Sequence, residues 1–335
     1  MTLLASSALQ SLPDPTVIES PDFESLLSEV KQDILRFAPE LKDAMELESE
    51  PASKIAQAIA YRVMHERHLA NSQALALMLA KAMGPQLDHL GSLPFIQTSR
   101  KVLREEDKSQ NPPLPAEYEN DTEFRARLQL ALEGYSTAGP IGAYIYHGLA
   151  AHQDVKDIAI DAPTFSRYKV PAAVAATLPS HTLLLTTDYD AGLTNPTPGD
   201  VAITVLSRKG NGKPTSEVMK AVSLRLNDNA IRPLTDRPRL RPATIVNYRV
   251  RAYVWFYPGP DAAITIAEAQ RKTEHYTEER QLIGHDVTLS GLHAAIHVPG
   301  VQRVELVEPS SDLDISQQEA SNCLSIELIN RGTAV

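Results

Sequence analysis

Apolar residues recur every three or four positions in the first hundred residues, which is the spacing of amphipathic helices. The first stripe comprises Phe23, Leu26, Leu27, Val30 and Ile34, and the second includes Ile55, Ile59 and Val63. Because neither Gly nor Pro occurs between Pro51 and Gly84, the second stripe predicts a single helix over residues 51–83. At about 1.5 Å per residue, this helix would be roughly 50 Å long.

A helix of this length exceeds what a small domain covers, and a two-helix hairpin leaves part of each stripe exposed to water. We therefore expect helices of other chains to complete a bundle, with the eight residues of both stripes as contacts. A break near Asn71 that folds the helix back within one domain is the alternative.

Residues 1–20 are polar and punctuated by proline, which predicts an extended arm. Ser20 can cap the first helix.

Residues 104–123 are charged, contain three prolines and show no periodicity, which predicts a linker. Asn120 and Glu123 then resemble a capping box, and the apolar spacing after them predicts a helix that ends at Gly134. Gly139-Pro140 opens another helix that continues to about residue 150. Together these elements predict a helical hairpin.

The hydrophobic periodicity changes to two after Asp154, as expected for β-strands. It predicts strands at 155–160 and 201–205, followed by a helix at 216–226. In the long loop between these two strands, residues 182–187 are a candidate for one more strand.

The clearest strand covers residues 246–257, where alternate residues from Val246 to Phe256 form an apolar face that belongs to a core. The opposite face carries Arg249, Arg251, Tyr253 and Trp255, residue types favoured at the centre of protein interfaces. A second layer of helices over the sheet would explain these residues equally well. After a turn at Pro258-Gly259-Pro260, the pattern predicts helices at 262–282 and 290–297 and strands at 301–307 and 324–329.

The predicted fold class is α+β, with an N-terminal helical bundle arm followed by two α+β lobes that hold small, mostly antiparallel sheets. The predicted divisions are an arm at 1–20, a bundle region at 21–103, a linker and helical hairpin at 104–150, a middle domain at 151–240 with a long loop at 162–200, and a C-terminal domain at 241–335.

Composition narrows the possible partners. The 335 residues include 32 Lys and Arg against 42 Asp and Glu, a net charge of −10, so the general attraction to phosphate that nucleic-acid binding requires is missing. A single cysteine, Cys323, excludes an internal disulfide framework. We expect no export signal and no membrane partner, because no apolar run reaches the roughly 18 residues of a membrane span.

Motifs for catalysis or metal binding are incomplete. His65 and His68 are three residues apart instead of four, and His293 and His297 have no carboxylate at ligand spacing. The segment 210–215 lacks the leading glycine of a phosphate loop, and Pro214 removes a backbone donor. We therefore predict a protein that is not an enzyme, with no catalytic residue, no metal and no cofactor. A hydrolase with an unrecognised site is a less favoured alternative.

A series of short motifs, mostly turns and caps, follows in order along the chain. They are Leu47-Glu48-Ser49-Glu50-Pro51, Ala82-Met83-Gly84, Leu87-Asp88-x-Leu90-Gly91, Asp121-x-Glu123-Phe124-Arg125-x-Arg127-Leu128, Gly139-Pro140, Ile231-Arg232-Pro233-Leu234-Thr235-Asp236, Gly284-x-Asp286-Val287 and Val298-Pro299-Gly300-Val301. In this order they resemble the baseplate J-like family, the wedge proteins of contractile phage tails and related injection machines. The stretch 162–200 departs from the family, whose members have a shorter connection there.

The resemblance implies a structural role in a baseplate wedge. Two copies of the chain are expected to join one copy of a smaller, I-like tail protein in a heterotrimer whose N-terminal helices form a core bundle. The C-terminal domains are expected to pair between neighbouring wedges and close a ring around the central hub, with a lysozyme-like, sheath-initiating wedge protein nearby.

The resemblance also implies that this ring widens and triggers sheath contraction. The protein would then belong to the tail baseplate of a virion and be assembled in the cytoplasm of the bacterial host. The same wedge in a phage-derived tailocin or contractile injection system is the alternative.

Overall fold

A computed structural model describes residues 22–109, 111–136, 139–171, 174, 177–258 and 262–333. The predicted arm at 1–20 lies outside these residues, as do Ser20, the predicted cap of the first helix, and Gly259 and Pro260 of the predicted turn. The chain forms two units: the first runs to Lys101 and includes Tyr118–Gln129, and the second comprises Val102–Glu117 and the chain from Leu130 onward. The finer divisions expected from the sequence stay a prediction.

The first unit is helical. It contains helix α1 (Phe23–Phe37), a 3-10 turn (Pro39–Leu41), α2 (Lys42–Glu46), α3 (Pro51–Ala76), α4 (Gly84–Gly91) and most of α5 (Asp121–Ala131). Asp22 caps α1, since its Oδ2 accepts a hydrogen bond from Ser25 N–H at 3.0 Å. Asn120 caps α5 in the same way by accepting from Glu123 N–H at 2.9 Å, as the capping-box motif predicts.

Helix α3 runs through Asn71 without a break, so the folded-back alternative is wrong. It has 26 residues, which gives about 39 Å, and it ends at Ala76 and not at the predicted Met83. The early end has a tertiary cause: the carbonyl oxygens of Leu79 and Ala82 accept hydrogen bonds from the guanidinium of Arg125. These carbonyls are therefore satisfied outside a helix.

The segment predicted as a linker contains short paired strands, β1 (Val102–Arg104) and β2 (Glu117–Tyr118). Asp107 and Leu114 exchange two backbone hydrogen bonds, at 2.9 and 3.0 Å. Arg104 and Glu117 form an ion pair at 3.1 Å. Pro112 and Pro113 thus lie in the connection between two paired strands.

The first part of the second unit is built around a three-stranded sheet. Along the chain this part contains a 3-10 turn (Glu133–Tyr135), α6 (Ile141–Ala150), β3 (Val155–Asp161), the hairpin β4 (Thr164–Arg167) and β5 (Leu185–Tyr189), β6 (Asp200–Ser207), α7 (Ser216–Leu226) and β7 (Arg237–Pro242). The strand order is β3-β6-β7, with β3 antiparallel and β7 parallel to β6. The candidate strand at 182–187 corresponds to β5, which begins three residues later and ends two residues later.

The second part of this unit contains the strand with the clearest sequence pattern. Along the chain it comprises β8 (Thr244–Phe256), α8 (Ala262–Arg280), α9 (Leu289–Ile296), β9 (Val301–Glu308) and β10 (Glu319–Thr333), and the three strands form one sheet. The order is β10-β8-β9, with β9 antiparallel and β10 parallel to β8. The α+β prediction is confirmed, and each three-stranded sheet includes one parallel pair.

A buried carboxyl group joins the two sheets of the second unit. Asp157 of β3 accepts hydrogen bonds from the N–H groups of Ile283, at 2.9 Å, and Ile158, at 2.8 Å. Burial raises the pKa of Asp157, and these two hydrogen bonds oppose that rise only in part. Lys156 reinforces the junction through a 2.8 Å hydrogen bond from Nζ to Gln281 Oε1.

Candidate assembly surfaces

One side of the helical surface in the first unit is covered by the chain itself. Leu26 and Leu27 of α1 are only 3% and 8% exposed. They form a cluster with Met45, Ala56 and Ala60, bordered by partly buried Phe23, Val30, Ile34 and Val63. Six of the eight predicted bundle contacts therefore contribute to a core within this unit.

The other two predicted contacts lie on an open flank of α3. Ile55 and Ile59, one helical turn apart, are 59% and 43% exposed. Residues 65–70 are exposed on all sides of the same helix. Because burying an Ile side chain is worth about 1.5–3 kcal/mol, this flank gains stability only when another surface covers it.

Three arginines, Arg100, Arg125 and Arg127, hold the segment that follows α3, and we call them the arginine clamp. Arg125 donates from Nε to the carbonyl oxygen of Leu79 at 2.9 Å and from Nη2 to that of Ala82 at 2.5 Å. Arg127 and Glu119 form a buried ion pair with an Nη2 to Oε1 distance of 2.6 Å. The exposed end of α3 is thereby tied to α5.

Arg100 completes the clamp from the other side. Its guanidinium pairs with Asp88 at 2.8 Å and with Asp121 at 2.7 Å, and it donates to the carbonyl oxygen of Glu119 at 2.8 Å. Burial alone would raise the pKa of Asp121, but the hydrogen bond from Gly84 N–H and the charge of Arg100 outweigh it and lower that pKa. Asp121 is therefore ionised at neutral pH.

The ring of Phe124 fills the centre of the clamp and is fully buried. The guanidinium carbons of Arg100 and Arg127 lie 4.8 and 5.6 Å from the ring centroid, within cation–π range. Gly91 of α4 packs against the same ring, and a Cβ there would lie only 2.5 Å from the carbonyl oxygen of Thr98. The close approach therefore requires glycine at position 91.

The C-terminal sheet has one covered face and one open face. Tyr248, Val250, Ala252, Val254 and Phe256 of β8 are buried against α8 and α9. The predicted contacts Arg249, Arg251, Tyr253 and Trp255 alternate with them and lie on the opposite, outer face, where Arg249 is exposed and the other three are half-buried. The helices α8 and α9 pack on the apolar face, so they do not cover these four residues.

Ion pairs and aromatic contacts order the outer face. Arg251 pairs with Glu327 at 3.2 Å, and Arg303, which also pairs with Glu305 at 3.2 Å, lies over Trp255 at 4.8 Å from the ring centroid. Tyr253 and Trp255 form an edge-to-face pair with centroids 6.5 Å apart. These side chains are pre-ordered, which reduces the entropy that a partner must remove on binding.

Sequence reasoning missed two features. The motif that contains Phe124, Arg125 and Arg127 carries two of the three clamp arginines, and the third, Arg100, reaches Phe124 only through the fold. Leu234 was not singled out, yet it is 95% exposed at the tip of a loop that Tyr144 Oη anchors by donating to Asp236 at 2.8 Å. A fixed, fully exposed Leu is a further candidate contact.

The histidines and the Gly-rich segment weighed for chemistry form no metal or phosphate site in the described parts of the chain. His65 and His68 lie on the exposed stretch of α3, and within the described parts of the chain no group of three or more His, Cys, Asp or Glu could hold a metal ion. The segment 210–215 is the turn between β6 and α7, where Thr215 caps the helix. No helix in the described ranges is both long and apolar enough to cross a lipid bilayer.

Two protein-family models each match a part of this chain, and one known protein matches nearly its full length. A model of the baseplate J-like N-terminal domain matches residues 48–107, and one of the baseplate J-like C-terminal domain matches residues 248–329. Baseplate protein J of Escherichia phage P2 is 36% identical over 330 residues, covering 97% of this chain and 98% of that protein.

Among solved structures, a chain of the anti-feeding prophage baseplate is similar at 13% identity and a TM-score of 0.36, over 63% of this chain and 43% of that one. At this level the structural likeness adds nothing to the sequence match. The identity to the phage P2 protein along nearly the whole length of both chains is decisive. This chain therefore belongs to the baseplate J-like family and has a structural role in a baseplate.

Proposed function

We propose that the chain is a wedge component of a contractile tail baseplate and acts as a scaffold without catalysis. Two copies assemble with one copy of a smaller, I-like tail protein, and helices α1 and α3 enter the common bundle. The observation that carries this proposal is the open flank of α3, where Ile55 and Ile59 are exposed on a helix whose other side is already packed.

The C-terminal domains of neighbouring wedges then pair with one another and close a ring around the hub, with a sheath-initiating protein of lysozyme-like type beside it. The outer face of the C-terminal sheet supports this part of the proposal, since Arg, Tyr and Trp are the residues most enriched among interface hot spots. In this proposal widening of the ring starts sheath contraction, and assembly takes place in the cytoplasm of the bacterial host.

Coexpression with the adjacent smaller tail protein, followed by light scattering, tests the stoichiometry. We expect a stable complex with the mass of two copies of this chain and one of the partner. Ile55→Glu combined with Ile59→Glu should abolish the complex, because two carboxylates would be buried in an apolar bundle. A well-behaved lone monomer of the unaltered chain in the presence of the partner would contradict the proposal.

Lys54→Glu is the matched control. It lies on another face of the same helix, is exposed, and lowers the net charge by two, as the double substitution does. We expect it to leave the complex intact. Circular dichroism of all variants checks that α3 still forms.

A further inference from the structure

A single residue, Ala243, separates the last strand of the first sheet from the first strand of the second. Its N–H donates to the carbonyl oxygen of Val205 in β6 at 2.9 Å, and the N–H of Thr244 donates to that of Gln318, directly before β10, at 2.9 Å. The chain is therefore held on both sides where it crosses between the sheets. Boundaries between separate domains lie in exposed linkers that few contacts cross, and this connection is of the opposite kind.

A second crossing point is the segment after α8, residues 281–284, which we call the junction segment. It meets the first sheet through the hydrogen bond from Ile283 N–H to the buried carboxylate of Asp157. It meets the second sheet at the start of β10, where Gly284 N–H donates to the carbonyl oxygen of Glu319 at 3.1 Å. The junction segment is thus bonded to both β3 and β10.

The side chain of Gln281, in the same segment, also connects the sheets. Its Oε1 accepts from Lys156 Nζ of β3 at 2.8 Å, and its Nε2 donates to Asn322 Oδ1 of β10 at 3.3 Å. Asn322 donates in turn from Nδ2 to Asn247 Oδ1 of β8 at 2.8 Å. A line of hydrogen bonds therefore runs from an edge strand of the first sheet to the middle strand of the second.

A small apolar core, which both sheets share, lies between these crossing points. It takes one residue each from β3, β6, the β7–β8 connection, the junction segment and β10, all at most 4% exposed: Ala159, Leu206, Ala243, Ile283 and Ala320. Three of the five are alanines, whose short side chains allow the backbones to approach closely. Because close-packed protein interiors have low compressibility, this core resists bending.

We propose that the junction segment and the shared core hold the two sheets of the second unit together as one rigid, cooperative body. A displacement of the C-terminal sheet then carries β3, β6 and the helices α6 and α7 with it. The alternative is two lobes that each keep their own core and open at the crossing points. One consequence rests on the proposed wedge function: the bending that accompanies widening of the ring lies outside the second unit.

Hydrogen exchange of backbone amides in the isolated full chain tests this coupling. Val222→Ala removes part of a fully buried side chain of α7 that belongs to the core of the first sheet and not to the shared core. In one cooperative body the resulting cavity lowers the protection of both sheets alike. We expect exchange in β6 and in β8 to accelerate by the same factor, at least about tenfold. Leu224→Ala, on the same helix but 77% exposed, is the matched control and should change neither.

A milder substitution in the same core keeps the test informative if the larger cavity prevents folding. Ile203→Val removes one methylene from a fully buried side chain of β6. We expect an acceleration of about 2–10-fold, again shared by β6 and β8.

The crossing points themselves give a second readout in the unaltered chain. The amides of Ala243, Thr244, Ile283 and Gly284 should exchange only when the whole unit opens. We therefore expect them to exchange as slowly as the most protected amides of β6 and β8.

Two results would overturn the inference. Acceleration confined to β6 would show that each sheet opens by itself. Amides at the crossing points that exchange at least about tenfold faster than those of β6 and β8 would show that the sheets separate while each stays folded. Both measurements use the isolated chain, so their outcome is independent of whether the chain forms the proposed wedge.

Discussion

Replacing Arg127 by methionine is expected to lower the free energy of unfolding of the first unit by about 3–5 kcal/mol. The guanidinium of Arg127 and the carboxylate of Glu119 are 7% and 1% exposed, and Arg127 also donates to the carbonyl oxygen of Ser99 at 2.7 Å. The substitution leaves Glu119 as an uncompensated charge in a site that water does not reach. It also removes one of the two cations that lie over Phe124.

Hydrogen exchange of backbone amides in residues 84–101 and 118–129 is the appropriate measurement, because the single tryptophan lies in the second unit. Arg104→Met is the matched control: its ion pair with Glu117 is about half exposed on both sides, and such pairs contribute about 0–1 kcal/mol. Combining Arg127→Met with Glu119→Leu should recover much of the loss. Exchange rates that match those of the Arg104 variant would refute a stabilising role for the clamp.

Replacing Phe256 by alanine is expected to cost the second unit about 3–5 kcal/mol. Phe256 is 1% exposed and packs beneath α8 and α9 in the C-terminal core, so its removal leaves a cavity that the neighbouring helices fill only in part. Urea unfolding followed by the fluorescence of Trp255, the next residue on the opposite face, reports this change directly.

Tyr253→Ala provides the comparison from the outer face. Tyr253 is half-buried and contacts Arg331 and Trp255, so we expect a loss of about 1 kcal/mol. Equal losses for the two variants would mean that the outer face is as much a part of the folded core as the inner one. A clearly larger loss of unfolding free energy for Phe256→Ala would show that the inner face stabilises the fold. The outer face would then be available for contacts with other proteins.

Local patterns predicted the elements that depend on local chemistry. The alternation over residues 246–257 gave both faces of β8 correctly, because strand geometry sends successive side chains to opposite sides. The helix at 216–226 matches α7 at both ends, where Thr215 caps the first turn. The starts of α5 and α6 were likewise predicted, from Asn120 and from Gly139-Pro140.

Contacts distant in sequence account for what the pattern missed. Helix α3 ends at Ala76 because Arg125, far along the chain, takes the carbonyl oxygens of Leu79 and Ala82, and no local residue signals this. The paired strands β1 and β2 were predicted as a linker because their few residues carry no alternation that a periodicity search detects.

The stripes on α1 and α3 illustrate a limit of periodicity. Spacing identified eight apolar positions, but it could not divide them between the core of the unit and the open flank. The small residues Ala56 and Ala60 face α1 and define the inner side of α3, which turns Ile55 and Ile59 outward. A sequence search weighted toward large apolar residues overlooks alanines that allow close packing.

Coverage of the open flank of α3 by other chains is measured by the thiol-labelling rate of Ile55→Cys in a Cys323→Ser background. The rate is compared between the isolated chain and its complex with the smaller tail protein, with Lys220→Cys on α7 as a site that should not change. We expect rapid labelling in the isolated chain and protection of at least about tenfold in the complex. Equal labelling in both states would contradict the claim that other chains cover the flank of α3.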